Sequence, residues 1–422
     1  PSPVSAPVAA VHTERGRALA APFGPWSALI VTHNGVVAGI DRDPLLPEGQ
    51  LGVRSALDAG AVPEGLGDLA PAHDAFGDLH DAFLADVVHV AVARKAVLPA
   101  PIVIVHLVDA GTASPSPSVF PRSLLRIGDA AEAAVIELVA SVGAGAGWEA
   151  AAGASVGAGW EAAAGASVGA GWEATAGASV PVLVVPVAEI EVGDNSHLAY
   201  VNLQVLGPAG TQLAVQASRV GRDSTLRSFT VGLGGGYARV RTDSDLVGQG
   251  GHTSLLAAYL GTDAQIHDFR TLQDHHAPRT QSELLFKGAV ADEARSVYSG
   301  LIHIRRGAHG ARAFQTNHNL VLSEGAHADS VPNLDIEEND VRCSHASTVG
   351  PIDEDQRYYL ESRGIDPAVA ERLIVLGFFS DLSGRAPVAG VGAWVDAAVS
   401  RRLAGRLPSD RAADVTGADH GR

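Results

Sequence analysis

The sequence predicts a mainly β protein: a right-handed β-helix core with a small mixed α/β domain before it and a helical domain after it. Between about 181 and 347, short apolar runs recur with Gly, Asp and Asn turns between them, and helical periodicity is almost absent. Such strands also occur in sandwiches and barrels. Most junctions lack the Asn-Gly or Asp-Gly pair of a tight hairpin, which favours coils that stack and bury their side chains against neighbouring coils.

Changes in the pattern divide the chain into five segments. We predict a loose N-terminal arm at 1–22, a mixed domain at 23–135, the β-helix core at 136–350, a helical domain at 351–407 and a disordered tail at 408–422. The mixed domain contains a helical pattern at 72–84 and strand patterns at 87–92 and 102–108. Strands of the core are expected at 198–206, 225–232, 253–260, 296–304, 313–322 and 341–346.

A repeat interrupts this organisation at 142–180. The unit GAGWEAAAGASV recurs there and places Trp148, Trp160 and Trp172 twelve residues apart. Because that period fits neither a helix nor a heptad, the repeat is either a set of added solenoid coils or a low-complexity loop between two strands. An interaction tether is the functional alternative to an expanded loop.

The helical domain has clear boundary signals. A first helix is expected at 353–363, and Gly364 ends it. Asp366 then fits the N-cap of a second helix, with Pro367 at its first position. An apolar stripe along this second helix consists of Val369, Leu373, Leu376 and either Phe378 or Phe379. A third amphipathic helix is expected at 391–403.

Composition excludes several classes of function. The net charge of −17 repels phosphate backbones, so nucleic-acid binding is not expected. A single cysteine excludes an internal disulfide and a self-contained four-thiolate site. No apolar run approaches the roughly 20 residues of a membrane helix, and the N-terminus lacks the pattern of a secretory signal. We therefore expect a cytoplasmic protein without membrane contact.

The single thiol has a neighbour that could act with it. Cys343 and His345 are two residues apart, so on a strand both side chains face the same side, about 7 Å apart. Thiolate and imidazole both bind iron or zinc, but this spacing alone is a weak signal. A metalloprotein using His275, His303 and Cys343 is an open alternative. No zinc-protease motif, phosphate loop or nucleophile elbow occurs, so the sequence shows no catalytic machinery.

Several segments resemble the SufB/SufD family of iron–sulfur cluster assembly scaffolds. The most specific is FQTNHNLVLSEGAHADSVPNLDIEENDVRCSHASTVG at 314–350, followed by RTQSELLFKGAVADEARSVYSG at 279–300. The run DEDQRYYLESRGI from Asp353 is similar to the start of the family's helical tail, and 72–137 is similar more loosely. Glu324 stands where the SufB branch has a cluster-forming cysteine, and Cys-Ser-His at 343–345 is the form of the SufD branch.

The resemblance implies a function that the residues alone did not predict. It implies a non-catalytic scaffold that pairs with a SufB-like subunit and holds a transient iron–sulfur cluster at their interface, with His345 and secondarily Cys343 contributing there. It also implies docking of a SufC-like ABC ATPase on the C-terminal helices, and a reduced flavin in the whole complex, to which no residue here is assigned. A homodimeric structural solenoid remains an alternative. Residues expected to bind the partner are Tyr358, Tyr359, Leu373, Leu376, Phe378 and Phe379.

Overall fold

The computed structural model describes residues 6–56, 60, 62–71, 74–109, 117–142 and 181–404. The tryptophan repeat, apart from its first residue, and the expected tail at 408–422 lie outside these ranges. Among the described residues, no helix is long and apolar enough to cross a membrane.

Two long sheets form the molecule, and the chain alternates between them to build stacked coils. In spatial order, the first sheet contains β2 (Val36–Arg42), β1 (Ala28–His33), β5 (Ile102–Val108), β8 (Glu132–Ser141), β11 (His197–Val205), β13 (Thr225–Gly232), β15 (His252–Gly261), β17 (Gln281–Val290), β19 (Arg312–Val321) and β21 (Arg342–Gly350). The second contains β20 (His327–Ile336), β18 (Arg295–Ile304), β16 (Ile266–His275), β14 (Tyr237–Leu246), β12 (Gly210–Val220), β10 (Val187–Val192), β7 (Arg122–Ile127), β4 (Val88–Val92) and β3 (Leu51–Ser55). Short strands β6 (Ser118–Val119) and β9 (Val182–Val184) pair beside β12.

The coil geometry follows from alternation along each strand and from turn residues at the corners. Parallel pairing keeps Tyr200, Ser228 and Leu255 in one inward-facing column of the first sheet, because side chains two residues apart face the same side. Asn195 and Asp223 adopt positive φ at corners between coils, a conformation that Asn and Asp tolerate better than most residues. The β-solenoid predicted from the short strands is confirmed, and the expected strand 225–232 coincides with β13.

The N-terminal end of the solenoid is closed by elements that reverse direction. Strands β1 and β2 pair antiparallel through the Asn34–Gly35 turn, whose residues both have positive φ, and β3 pairs antiparallel with β4. Helix α1 (Ala6–Ala20) packs on β1, β2 and β5, and a 3-10 turn (Ala21–Phe23) follows it. Solenoids need such atypical terminal units to cover their ends.

The prediction of a loose arm at 1–22 is therefore wrong for 6–22, the part of it that the structure describes. The buried positions of the helix are His12, Gly16 and Ala20, and a Cβ added at Gly16 would lie 2.2 Å from Val31 Cγ2. A face built from His, Gly and Ala gives no apolar period, which is why the sequence pattern did not show the helix.

The expected boundary between a mixed domain and the core at 135/136 is also wrong. It falls inside β8, and β4, β5 and β7 already belong to the two sheets of the solenoid. The N-terminal part does mix strands with helices, since α2 (Ala75–Phe83) lies between β3 and β4, with Asp74 as its N-cap. Strands β7 and β10, and likewise β8 and β11, pair directly in the stack.

Three helices follow the last strand, and the second and third of them cover the outer face of the first sheet. They are α3 (Glu354–Ser362), α4 (Pro367–Gly384) and α5 (Val391–Ala404). As predicted, the side chain of Asp366 accepts a hydrogen bond from the backbone N–H of Ala368, and Pro367 begins α4. Apolar residues of α4 and α5 pack with those of the sheet in one core cluster, so only α3, which buries no residue, lies apart from the core.

Candidate functional site

The last coil of the solenoid is open, and we call β20 and β21 together the terminal coil. Each strand pairs with only one neighbour among the described residues, β20 with β18 and β21 with β19. The outer edge of each strand thus presents unpaired backbone N–H and C=O groups, which can pair with another chain. The opposite end of the solenoid is closed, so the two ends differ in kind.

Cys343 and His345 lie in this terminal coil and face inward. They pair in register with Ala313 and Gln315, both of which are buried in the solenoid interior. The two-residue spacing places both side chains on one face, as predicted. Cys343 is half-buried against the cluster that includes Ile302, and burial raises the pKa of its thiol. His345 is exposed because it occupies an inward column that no further coil covers.

Beneath His345 lies a buried amide that lacks hydrogen bonds. Gln315 is 1% exposed, and in the part of the chain that the structure describes neither its Oε1 nor its Nε2 has a hydrogen-bond partner. Gly300 makes room for it, since a Cβ there would lie 2.5 Å from Gln315 Nε2. An unpartnered buried amide is costly, so this position is suited to a polar group arriving at the open end. Sequence analysis missed Gln315; its inward position next to Ala313 in a strand was the available signal.

Apolar side chains surround this opening. Leu334 and Ile336 continue the inward columns of the buried Ile302 and Ile304, yet they are 36% and 41% exposed. Val349 continues the inward column of β21 and is 44% exposed. Exposed apolar side chains at an open strand edge are typical of association surfaces.

The proposed docking residues of the C-terminal helices separate into two groups. Tyr358, Tyr359 and Leu373 are 73%, 58% and 46% exposed. Phe379 is fully buried in the core cluster and faces the sheet, so its expected place on a docking surface is wrong. Because α4 is apolar on more than one side, the sequence pattern did not show which of its apolar residues face the sheet.

The two remaining docking candidates, Leu376 and Phe378, are half-buried. Lys287 holds Phe378 against the solenoid. Its Nζ lies 5.1 Å from the ring centroid and donates a hydrogen bond of 3.0 Å to the Phe378 carbonyl.

The alternative metal site of His275, His303 and Cys343 does not assemble. His275 is buried inside the solenoid, where its ring nitrogens lie 2.8 Å from the hydroxyls of Thr280 and Ser282, and burial lowers its pKa to about 4. His303 faces outward from the same sheet, beside Asp274, and Cys343 belongs to the other sheet. That ligand set is therefore wrong.

The fold and the terminal coil define an open-ended β-solenoid with an inward-facing thiol and imidazole at its open end. The family model described as "SUF system FeS cluster assembly, SufBD core domain" matches residues 160–378, which include both strands of the terminal coil. This match covers more than half of the chain, and the chain belongs to the SufBD family.

Curated relatives agree with this assignment. An iron–sulfur cluster assembly SufBD family protein of Mycobacterium tuberculosis is 38% identical over 223 residues, which are 51% of this chain and 56% of the relative. SufD of Escherichia coli is 32% identical over 216 residues, 51% of each chain. SufD of Bacillus subtilis is 31% identical over 218 residues, 51% of this chain and 50% of the relative. The chain thus spans about half the length of the curated relatives that it matches.

Proposed function

We propose that this chain is a non-catalytic, SufD-like scaffold subunit of cytoplasmic iron–sulfur cluster assembly. It pairs through its terminal coil with a SufB-like subunit, contributes to a transient cluster at that interface and docks a SufC-like ABC ATPase on its C-terminal helices. The flavin expected for the whole complex is not assigned to residues of this chain.

The observation that carries the proposal is the open terminal coil. Its two strand edges can extend both sheets into a partner, and Leu334, Ile336 and Val349 supply apolar surface that the partner would bury. Family membership indicates what such a partner handles, since the matching model describes cluster assembly.

The chemistry of the two inward side chains supports an incomplete cluster site. One thiol cannot hold an iron–sulfur cluster, but an imidazole can replace a thiolate at an iron. His345 is exposed at the opening, whereas Cys343 is half-buried and burial raises the pKa of its thiol, which disfavours the thiolate that binds metal. We therefore assign the principal contact to His345 and the supporting contact to Cys343, with the remaining ligands supplied by the partner and the cluster treated as cargo.

Docking of the ATPase is supported by the exposure of α3 and the adjacent part of α4. Tyr358, Tyr359 and Leu373 expose aromatic and apolar area beyond what the core uses. Tyrosines are frequent anchors in protein interfaces because they combine a large apolar ring with a polar tip.

The test is His345→Ala in the chain co-expressed with a SufB-like and a SufC-like subunit. We expect the complex to remain intact by size-exclusion chromatography while its cluster absorbance falls several-fold. His327→Ala is the matched control: this exposed imidazole lies in the same coil but faces outward beside Asp329, and the change should leave the cluster unaffected. An undiminished cluster in His345→Ala would refute the ligand role. Dissociation of the complex would show instead that His345 holds the subunits together.

A homodimeric structural solenoid is the second candidate, because the same open edges can pair with a second copy of the chain. Light scattering on the isolated chain distinguishes the two. A stable dimer that a SufB-like subunit fails to dissociate favours the homodimer, and exchange into a heterodimer favours the scaffold.

A further inference from the structure

The outer face of the second sheet carries a group of imidazole and carboxylate side chains that the proposed scaffold function does not use. Asp245 on β14, Asp274 on β16 and His303 on β18 occupy one register column of that sheet. His276 follows directly after β16. The group lies on strands other than the terminal coil and on the sheet that does not contain His345.

Three of these residues bring ligand atoms together. Asp245, Asp274 and His276 each offer one such atom, and all three atoms lie within 4.8 Å of one another. His276 Nε2 is 3.4 Å from Asp274 Oδ2 and 3.9 Å from Asp245 Oδ1. On the other side of Asp274, His303 Nδ1 is 3.4 Å from Asp274 Oδ1.

The separation of His276 Nε2 from Asp274 Oδ2, 3.4 Å, is that of two ligands on one ion and is longer than a strong hydrogen bond. Nitrogen and oxygen ligands at about 2.1 Å from a tetrahedral ion are about 3.4 Å apart, whereas hydrogen bonds involving charged groups are about 2.8 Å long. His276 Nε2 is itself a buried atom with no hydrogen-bond partner of adequate geometry among the residues described. This ring nitrogen lies between the two carboxylates of Asp245 and Asp274.

Guanidinium groups border the carboxylates of the group. Arg219 on β12 pairs in register with Asp245. On the other side of the group, Arg305 donates to Asp274 Oδ1 at 2.9 Å and Oδ2 at 2.7 Å. Those two bonds fix the orientation of the Asp274 carboxylate, as outer-shell partners of metal ligands do.

We propose that Asp245, Asp274 and His276 form a binding site for a divalent first-row transition metal ion, with His303 flanking it. The imidazole favours ions such as Zn²⁺, Fe²⁺ or Co²⁺ over Mg²⁺ and Ca²⁺, which take oxygen ligands. The coordination positions that these three residues leave open go to water or to His303.

The test uses the full chain after treatment with chelator and then titration with Co²⁺, followed by visible absorption. We expect one Co²⁺ per chain, displaced by Zn²⁺ and not by Mg²⁺, with no thiolate charge-transfer band. His276→Gln and Asp245→Asn should each weaken binding at least about tenfold. His327→Gln is the matched control, because His327 forms an exposed imidazole–carboxylate pair with Asp329 outside the group; it should bind as the unaltered chain does.

A double variant at the open end distinguishes this site from the proposed cluster contact. Cys343→Ser combined with His345→Ala should leave Co²⁺ binding unchanged. The proposal is overturned if the unaltered chain binds no Co²⁺, if His276→Gln and Asp245→Asn bind it as tightly as the control, or if Mg²⁺ displaces it as well as Zn²⁺ does. Both substitutions are at partly exposed side chains, and circular dichroism checks that the variants are folded. Should one fail that check, the other variant and the Co²⁺ spectrum of the unaltered chain decide.

Discussion

Replacing Leu334 by Asp tests whether the terminal coil is the surface that pairs with the SufB-like subunit. Leu334 lies on β20 in the inward column above Ile302, and its side chain is 36% exposed because no coil follows. A partner that continues the solenoid would cover this position. The substitution then places a carboxylate where the partner's interior begins, with no cation provided to pair with it.

The expected size of the effect differs between the free chain and the complex. In the free chain, the variant loses the burial of part of one leucine, about 1–2 kcal/mol, and the carboxylate remains hydrated at the open end. In the complex the charge is desolvated, and an unpaired buried charge costs at least about 2.8 kcal/mol. This cost corresponds to a dissociation constant about 100-fold higher. Folding should therefore survive while pairing is lost.

Isothermal titration of the two purified subunits measures this difference. Leu373→Asp is the matched control, since Leu373 is an exposed leucine of α4 outside the terminal coil. This variant should pair with the SufB-like subunit normally, and its affinity for the ATPase should fall instead. A dissociation constant for Leu334→Asp within about threefold of the unaltered chain, in a folded variant, would refute the assignment of this coil as the pairing surface.

Two further predictions concern the C-terminal helices and the solenoid interior. Phe379→Ala should destabilise the fold by about 3–5 kcal/mol in chemical denaturation because it empties a fully buried site. Tyr358→Ala should change stability by less than about 0.5 kcal/mol and should weaken binding of the ATPase. Equal stabilities for the two variants would contradict this prediction. Burial lowers the pKa of both His267 and His275 to about 4, so the unfolded chain binds more protons below pH 6.5 and stability should fall as the pH drops, by about 2 kcal/mol per residue between pH 7 and 5. His275→Gln should flatten that pH dependence, and an unchanged slope would exclude His275 as a contributor.

Local sequence signals predicted the elements whose boundaries depend on nearby residues. The cap at Asp366 with Pro367 at the first helical position was readable because both act within one turn of the helix. The solenoid strands were readable because turn residues such as Asp223 recur at their corners. The same alternation placed Cys343 and His345 on one face.

Features that depend on distant contacts could not be read in this way. Helix α1 packs through His12, Gly16 and Ala20, which give no apolar period. Burial of Phe379 rather than Phe378 depends on the angle at which α4 meets the sheet, and a helix that is apolar on several sides does not reveal that angle. Gln315 became a candidate only once the open end showed that no coil lies above it.

The difference between the two ends of the solenoid gives the molecule its polarity. Antiparallel strands β2 and β3, together with α1, close the N-terminal end, while helices α4 and α5 cover only the outer face of the first sheet. Each coil contacts mainly its immediate neighbours, so a partner at the terminal coil would meet β20 and β21 directly and leave the distant coils unaltered. The proposed pairing surface, the proposed docking helices and the outer face of the second sheet therefore lie on separate parts of the molecule. This separation would allow the proposed partner, the proposed ATPase and a metal ion beside Asp274 to bind without competing.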